Sequence, residues 1–130
     1  MKVLKILSRI YVNELDKHIN FYEALLDSKT ELRFAMPQAG LELAQVGNIL
    51  IIAGNEESLR PFKETRATIL VDSIEQFKTF LEEMGSKIIR GPSKVPTGIN
   101  MTVEHPDGSI FEYVEHHDIK YRNYTSLIFR

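Results

Sequence analysis

The sequence predicts an α+β domain built from two strand–helix–strand–strand–strand units. Three observations predict it. A strand-and-helix segment occurs twice: Ile10-Tyr11-Val12-Asn13-Glu14-Leu15 is echoed by Ile69-Leu70-Val71-Asp72-Ser73-Ile74, so that Val12 and Val71 stand 59 positions apart, as do Phe21 and Phe80. In each copy an alternating apolar stretch passes through a polar residue into helical spacing, the change of period that marks a strand feeding a helix. Each copy is then followed by short apolar runs separated by glycine, proline and asparagine, which read as strands joined by turns.

The elements follow in order. In residues 3–12, Leu4, Ile6, Ile10 and Val12 share one face, with Ser8 the exception, while Lys5, Leu7, Arg9 and Tyr11 share the other. Asn13 is expected to cap the first helix, because its side-chain oxygen can accept from a free amide of the first turn. Leu15, Ile19, Tyr22, Leu25 and Leu26 carry the helical spacing, and the helix should end near Asp27-Ser28. Residues 31–36 read as a strand and Pro37-Gln38-Ala39-Gly40 as a turn. Residues 41–46 and 49–53 read as two strands joined tightly by Gly47-Asn48. Module one thus occupies about residues 1–54, and the polar stretch 55–64, with Pro61 in it, reads as a linker.

Module two, about residues 65–117, repeats the order. Residues 66–71 form a strand, and Asp72 or Ser73 caps a helix carrying Ile74, Phe77, Phe80, Leu81 and Met84. Gly85 ends that helix, since glycine tolerates the left-handed conformation found there. Residues 87–90 are expected as a strand, 91–98 as a loop, and 100–104 and 109–115 as the last two strands. His105-Pro106-Asp107-Gly108 between them suits a type I turn. A tail of residues 118–130 remains.

Composition narrows the function classes. The chain has 130 residues, 43% hydrophobic and 26% charged, with a formal net charge of −2, the profile of an ordinary globular domain. No basic stripe is visible, which argues against nucleic acid as a partner. No run of 18 apolar residues suggests a membrane span, and the first residues lack the pattern of a signal peptide. The absence of cysteine excludes disulfides, thiol catalysis and thiolate metal ligands. Together these fit a cytoplasmic location.

Tyr11-Val12-Asn13-Glu14-Leu15-Asp16-Lys17 with Phe21-Tyr22, and the stretch from Gly98 to His105-Pro106-Asp107-Gly108-Ser109-Ile110-Phe111-Glu112, resemble the vicinal oxygen chelate superfamily of glyoxalases, bleomycin-resistance proteins and extradiol dioxygenases. The resemblance runs to about His117. It implies two βαβββ modules in one curved mixed sheet around a cleft, with helices on the outer face. It also implies, in the enzymes, one divalent metal held by residues from the first and last strand of each module. Here those positions map to Leu7, Ile51, Arg66 and Glu112. Only Glu112 has a donor suited to a metal, so the expectation is no metal and no cofactor.

The remaining polar residues are weighed on that frame. Glu112 lies in an apolar strand, either as a carboxylate with a structural partner or as a ligand contact or general base. Arg66 is expected beside it, replacing the missing metal charge or binding an anionic or carbonyl group. Arg9, Tyr11, Thr68, Asn100 and Thr102 are expected to line the same cleft, a mixture of apolar wall and few polar groups typical of a small-molecule pocket. The plain alternative is a filled sheet surface. His18 is expected half-buried on its helix, and His105 solvated in its turn. His116-His117-Asp118 make a poor metal site, because neighbours in a strand point to opposite faces.

The function expected is metal-independent binding of a small organic molecule, with Arg66 and Glu112 orienting its polar group. The alternatives are an enzyme of the superfamily (lyase, isomerase or dioxygenase type) with shifted metal ligands or Glu112 as base, and a protein-interaction module with a relic cleft plugged by large side chains. Ile119, Tyr121, Tyr124, Leu127, Ile128 and Phe129 crowd the tail with apolar groups, from which a homodimer is expected.

Overall fold

The computed structural model describes residues 1–117; the tail, on which the expected homodimer rested, lies outside the described residues. The alternating N-terminal stretch becomes β1 (Val3–Val12), followed by α1 (Asp16–Leu26), β2 (Thr30–Met36), β3 (Leu41–Val46) and β4 (Ile49–Ala53). A short helix α2 (Glu56–Leu59) and a 3-10 turn (Arg60–Phe62) stand where the sequence suggested a plain linker. Then come β5 (Thr65–Val71), α3 (Ile74–Glu83), β6 (Lys87–Val95), β7 (Gly98–Glu104) and β8 (Ile110–His116). Both modules are therefore βαβββ. Among the described residues no helix is long and apolar enough to cross a membrane.

The eight strands make one mixed sheet in the order β2-β3-β4-β1-β5-β8-β7-β6. Within each module the first and last strands pair in parallel, β1 with β4 and β5 with β8. The modules join where β1 pairs antiparallel with β5, with Ser8 opposite Ala67 and Leu7 opposite Thr68. Ser8 and Ala67 are themselves 59 positions apart, so the sequence repeat is realised as an approximate two-fold at the centre of the sheet.

Three apolar clusters follow from strand alternation. Leu15 and Ile19 pack on Ala44, Val46, Ile51 and Ala53 under α1. Ile74, Phe77 and Leu81 pack on Ile69, Val71, Met101, Val103 and Tyr113 under α3. The opposite, concave face carries Leu7, Leu41, Leu43, Leu50, Ile52, Leu70 and Val114, with Leu59 from α2 packed against them. The linker is thus a lid on the concave face rather than a tether, because Leu59 and Phe62 bury their side chains there.

Two local expectations are corrected, and a third is narrowed from Asp72 or Ser73 to Ser73. Asn13 does not cap α1. The helix starts at Asp16 behind Leu15, with no side-chain cap, and the buried Leu15 anchors the first turn by packing and through its carbonyl, which accepts from the His18 and Ile19 amides. In α3 the matching role is filled by Ser73, whose hydroxyl accepts from the Gln76 amide at 3.2 Å. Finally, β6 continues through Gly91-Pro92 to Val95. It is an edge strand, so a proline without an amide proton is tolerated, and the register shifts on either side of Arg90 absorb the irregularity. Gly98, opposite His116, allows the close approach of β7 to β8: a Cβ there would lie 2.0 Å from the Glu115 carbonyl oxygen, at φ +156°.

Candidate functional site

The concave face holds a cavity of about 250 Å³. Its wall is mainly apolar, with Leu7, Leu43, Leu50, Leu70 and Val114 from five strands and Phe62 from the linker. That is the side-chain set which alternation sends away from the helices. The relic reading expected large side chains to fill this space, and they do not.

Glu112 is the centre of the main polar stretch of the wall. Thr68, the β5 neighbour of Glu112, donates from Oγ1 to Oε1 at 3.3 Å, and Asn100 donates from Nδ2 to Oε2 at 2.8 Å. Arg9 Nη2 lies 3.9 Å from Oε1. The Arg9 side chain is only 4% exposed and that of Glu112 19%. This is an ion pair at the limit of salt-bridge reach, beyond the 2.7–3.2 Å of a hydrogen bond. Arg9 Nε is buried with no hydrogen-bond partner, the one buried side-chain nitrogen or oxygen in that condition among the described residues. Thr102 completes the polar region, and Arg90 reaches the cavity from the edge strand, its guanidinium 5.7 Å from the Phe62 ring centre.

Arg9, Thr68, Asn100, Thr102 and Glu112 therefore share the cavity wall. Arg66 does not. Thr65 pairs with Ile110 and Thr68 with Glu112, so β5 takes three steps where β8 takes two. This bulge turns Arg66 outward, exposed between buried Thr65 and Ala67, and the cation beside Glu112 is Arg9. The expectation of an Arg66–Glu112 pair assumed strict alternation, which a bulge breaks.

Tyr11 also leaves the cavity. With Arg9 and Arg66 it borders a shallower neighbouring hollow. Its hydroxyl lies against the carbonyl oxygens of Phe62 and Thr65, tying β1 to the linker. Burial pushes this phenol's pKa up, with the Arg9 charge opposing and the Glu112 charge reinforcing the shift, so it remains a donor.

The mapping of Ile51 is off by one residue. Ile51 packs under α1, and Leu50 faces the cavity. The β4 and β8 hairpins differ in length, two residues against five between paired ends, so aligning them on their glycines misplaces the register. The correction leaves the chemistry unchanged, because leucine has no donor atom either.

A divalent cation needs about three or four oxygen or imidazole donors. Among the described residues no group of three or more His, Asp or Glu is placed to hold one. The position facing Glu112 is taken by a guanidinium, itself a cation, so the residues present do not fit a metal.

The histidines divide. His105, expected in solvent, is half-buried: its ring stacks on Phe111 at 4.4 Å between centres and its Nε2 lies 2.7 Å from the Tyr113 hydroxyl. Burial pushes its pKa down, with Asp107 opposing. His116 is buried and reaches the cavity wall, while His117 is exposed, as neighbouring strand residues should be. His18 is half-buried on α1.

Sequence reasoning missed Gln45, Phe62, Arg90 and His116 as wall residues. The signal for Gln45 was present, since it continues the face of Leu41 and Leu43 as a polar residue in an apolar strand. For Phe62 and Arg90 there was none, because a linker and an irregular edge strand carry no period.

No protein-family model matches the sequence, and no curated protein matches it. Solved structures do. An uncharacterized protein from Methanosarcina mazei is 62% identical, with 89% of this chain and 94% of that one covered and a TM-score of 0.84. Methylmalonyl-CoA epimerase from Mycobacterium tuberculosis is similar in fold at 16% identity, with 93% of each chain covered and a TM-score of 0.70. A Streptomyces coelicolor methylmalonyl-CoA epimerase variant, in complex with 2-nitronate-propionyl-CoA, gives a TM-score of 0.68 at 15% identity, covering 91% and 98%.

Proposed function

We propose, for a chain that belongs to one family with the Methanosarcina mazei protein and has the vicinal oxygen chelate fold, that the concave cavity binds a small organic molecule without a metal. The observation that carries this reading is the cavity itself: about 250 Å³, apolar on most of its wall, with Arg9, Thr68, Asn100 and Thr102 grouped around Glu112. That is the anatomy of a ligand site, in which apolar contact supplies affinity and few polar groups fix orientation. The volume sits just below the ~300–1,000 Å³ common for drug-sized ligands, so the molecule is small. Metal independence is supported by the donor set, one carboxylate facing one guanidinium.

Methyl-detected NMR on protein with labelled leucine and valine tests the reading. A panel of small aliphatic and aromatic compounds should shift Leu7, Leu50, Leu70 and Val114 together. Compounds that bind while leaving those four methyl sets unmoved would place the site elsewhere and end the proposal.

A second reading is favoured by one observation. Glu112 stands on the wall of an apolar cavity with a buried cation 3.9 Å away, the setting in which a carboxylate takes a proton from a bound substrate. Epimerases are among the proteins of this fold, and an isomerase or epimerase of another substrate would use such a base. Glu112→Gln discriminates: a binding protein keeps most of its affinity for a neutral ligand, whereas an enzyme loses turnover while still binding.

A further inference from the structure

We infer that the ligand of this cavity is an organic anion, a compact apolar body bearing a carboxylate, and that Arg9 is the residue that receives it. The inference rests on the reading of the cavity as a ligand site and adds the chemical class of its occupant.

Arg9 and Glu112 are unequally satisfied. Arg9 is a permanent cation whose side chain is 96% removed from solvent. A buried charge is stable when it is paired and hydrogen-bonded. A guanidinium has five N–H donors. Here Nε has no partner, and the contact of Nη2 with Glu112 is 3.9 Å, an electrostatic neighbour rather than an acceptor. Its other close contact is the Tyr11 ring, 5.6 Å from Cζ to the ring centre.

Glu112 is in the opposite condition. Its two oxygens accept from Thr68 and Asn100. The carboxylate is held by neutral donors and leaves the guanidinium unsatisfied. Were the pair simply a structural salt bridge, the planar fork of arginine would close on both oxygens at hydrogen-bond distance. The 3.9 Å separation and the neutral donors on Glu112 instead leave Arg9 with donors for something else.

The charges on the cavity wall point the same way. Apart from the His116 imidazole, the ionisable groups of the wall are the two guanidiniums of Arg9 and Arg90 and the single carboxylate of Glu112. A mono-anion bound there neutralises the wall; a neutral ligand leaves it positive and a cation makes it worse. Most of the remaining wall, Leu7, Leu43, Leu50, Leu70, Val114 and Phe62 among it, is apolar, with Gln45, Thr97 and His116 among the polar exceptions, so the body of the molecule is mainly apolar.

Isosteric pairs test this. Calorimetric titrations of benzoate against benzamide, and of hexanoate against hexanamide, compare a carboxylate with a neutral group of the same shape. In the wild type each carboxylate is expected to bind about tenfold or more tighter than its amide, ~1.4 kcal/mol. In Arg9→Gln that preference should fall to about threefold or less, and Arg9→Lys should restore part of it, since it keeps the charge and loses the fork. The wild-type comparison needs no variant to fold.

Amides that bind as well as carboxylates overturn the anion while leaving the cavity reading in place. A carboxylate preference that survives Arg9→Gln overturns the assignment to Arg9. Absence of heat from both classes up to ~10 mM, with no shift of the Thr68, Asn100 and Val114 amides, removes the cavity reading and this inference with it (such affinities would be weaker than ~3 kcal/mol).

Discussion

Glu112→Gln probes the polar region most directly. The substitution keeps the shape of the side chain. Asn100 Nδ2 can still donate to the new amide oxygen, and the Thr68 hydroxyl can accept from the new amide nitrogen in place of the 2.8 and 3.3 Å bonds to the carboxylate. What disappears is the charge beside Arg9. Two unit charges 3.9 Å apart attract by about 4 kcal/mol at an effective dielectric of ~20. Part of this is offset because the substitution also removes the desolvation penalty of the carboxylate. We expect a loss of ~2–3 kcal/mol, read from urea denaturation by linear extrapolation. Arg9→Gln should cost less, because the carboxylate left behind keeps its two donors. The double variant should lie closer to wild type than the sum of the singles, with a coupling of ~1–2 kcal/mol. Additivity within ~0.5 kcal/mol would show that the two charges do not sense each other and would refute the reasoning.

Ser73→Ala should cost ~1 kcal/mol and Asn13→Ala less than ~0.5 kcal/mol in the same denaturation experiment, because only Ser73 caps its helix. His105 in the folded state titrates below the ordinary histidine value of 6.5. Its contribution to stability is therefore complete above that value and is lost as pH falls from it through the lower folded-state value, since the unfolded chain takes the proton first; His105→Gln should flatten the stability profile just below the ordinary histidine value, and an unchanged slope there would clear this residue. Gly98→Ala should abolish cooperative unfolding or lower the midpoint drastically, since the added carbon meets the Glu115 carbonyl oxygen 2.0 Å away; a near-neutral result would mean that β7 and β8 separate without consequence. Elemental analysis of tag-free protein should find no stoichiometric transition metal, and about one zinc, nickel, iron or manganese per chain would contradict the donor-set argument.

The architecture was legible because the two modules write the same switch of period, once each, and the 59-residue spacing sets Ser8 against Ala67. Faces were legible wherever strands run regularly: Leu7 and Arg9 on β1, Asn100 and Thr102 on β7, and Met101 and Val103 on the α3 side. Legibility failed at three kinds of place. A bulge in β5 costs one step of alternation, and that step decided which arginine stands by Glu112. Hairpins of unequal length moved the β4 alignment from Leu50 to Ile51. Tertiary packing, invisible to local pattern, started α1 at a buried Leu15 in place of the better capping residue Asn13, and turned His105 onto Phe111. Glu112 was readable as a cavity-facing carboxylate, but its cationic neighbour was not, because that depends on register across strands far apart in sequence.

The antiparallel seam between β1 and β5 has a bearing on how a molecule gets in. The modules are joined by main-chain hydrogen bonds running from Val3–Val71 to Ser8–Ala67, and the sheet is continuous from β2 to β6. Two halves laced together in this way cannot swing apart like the lobes of a hinged protein, since opening them would expose the paired amides and carbonyls of the central strands. On the proposed reading of the cavity as a ligand site, entry would pass its edge, where Phe62 from the linker and Arg90 from the edge strand lie against each other. A rigid frame of this kind would keep the entropic penalty on binding small, because only a few rotamers would have to be ordered.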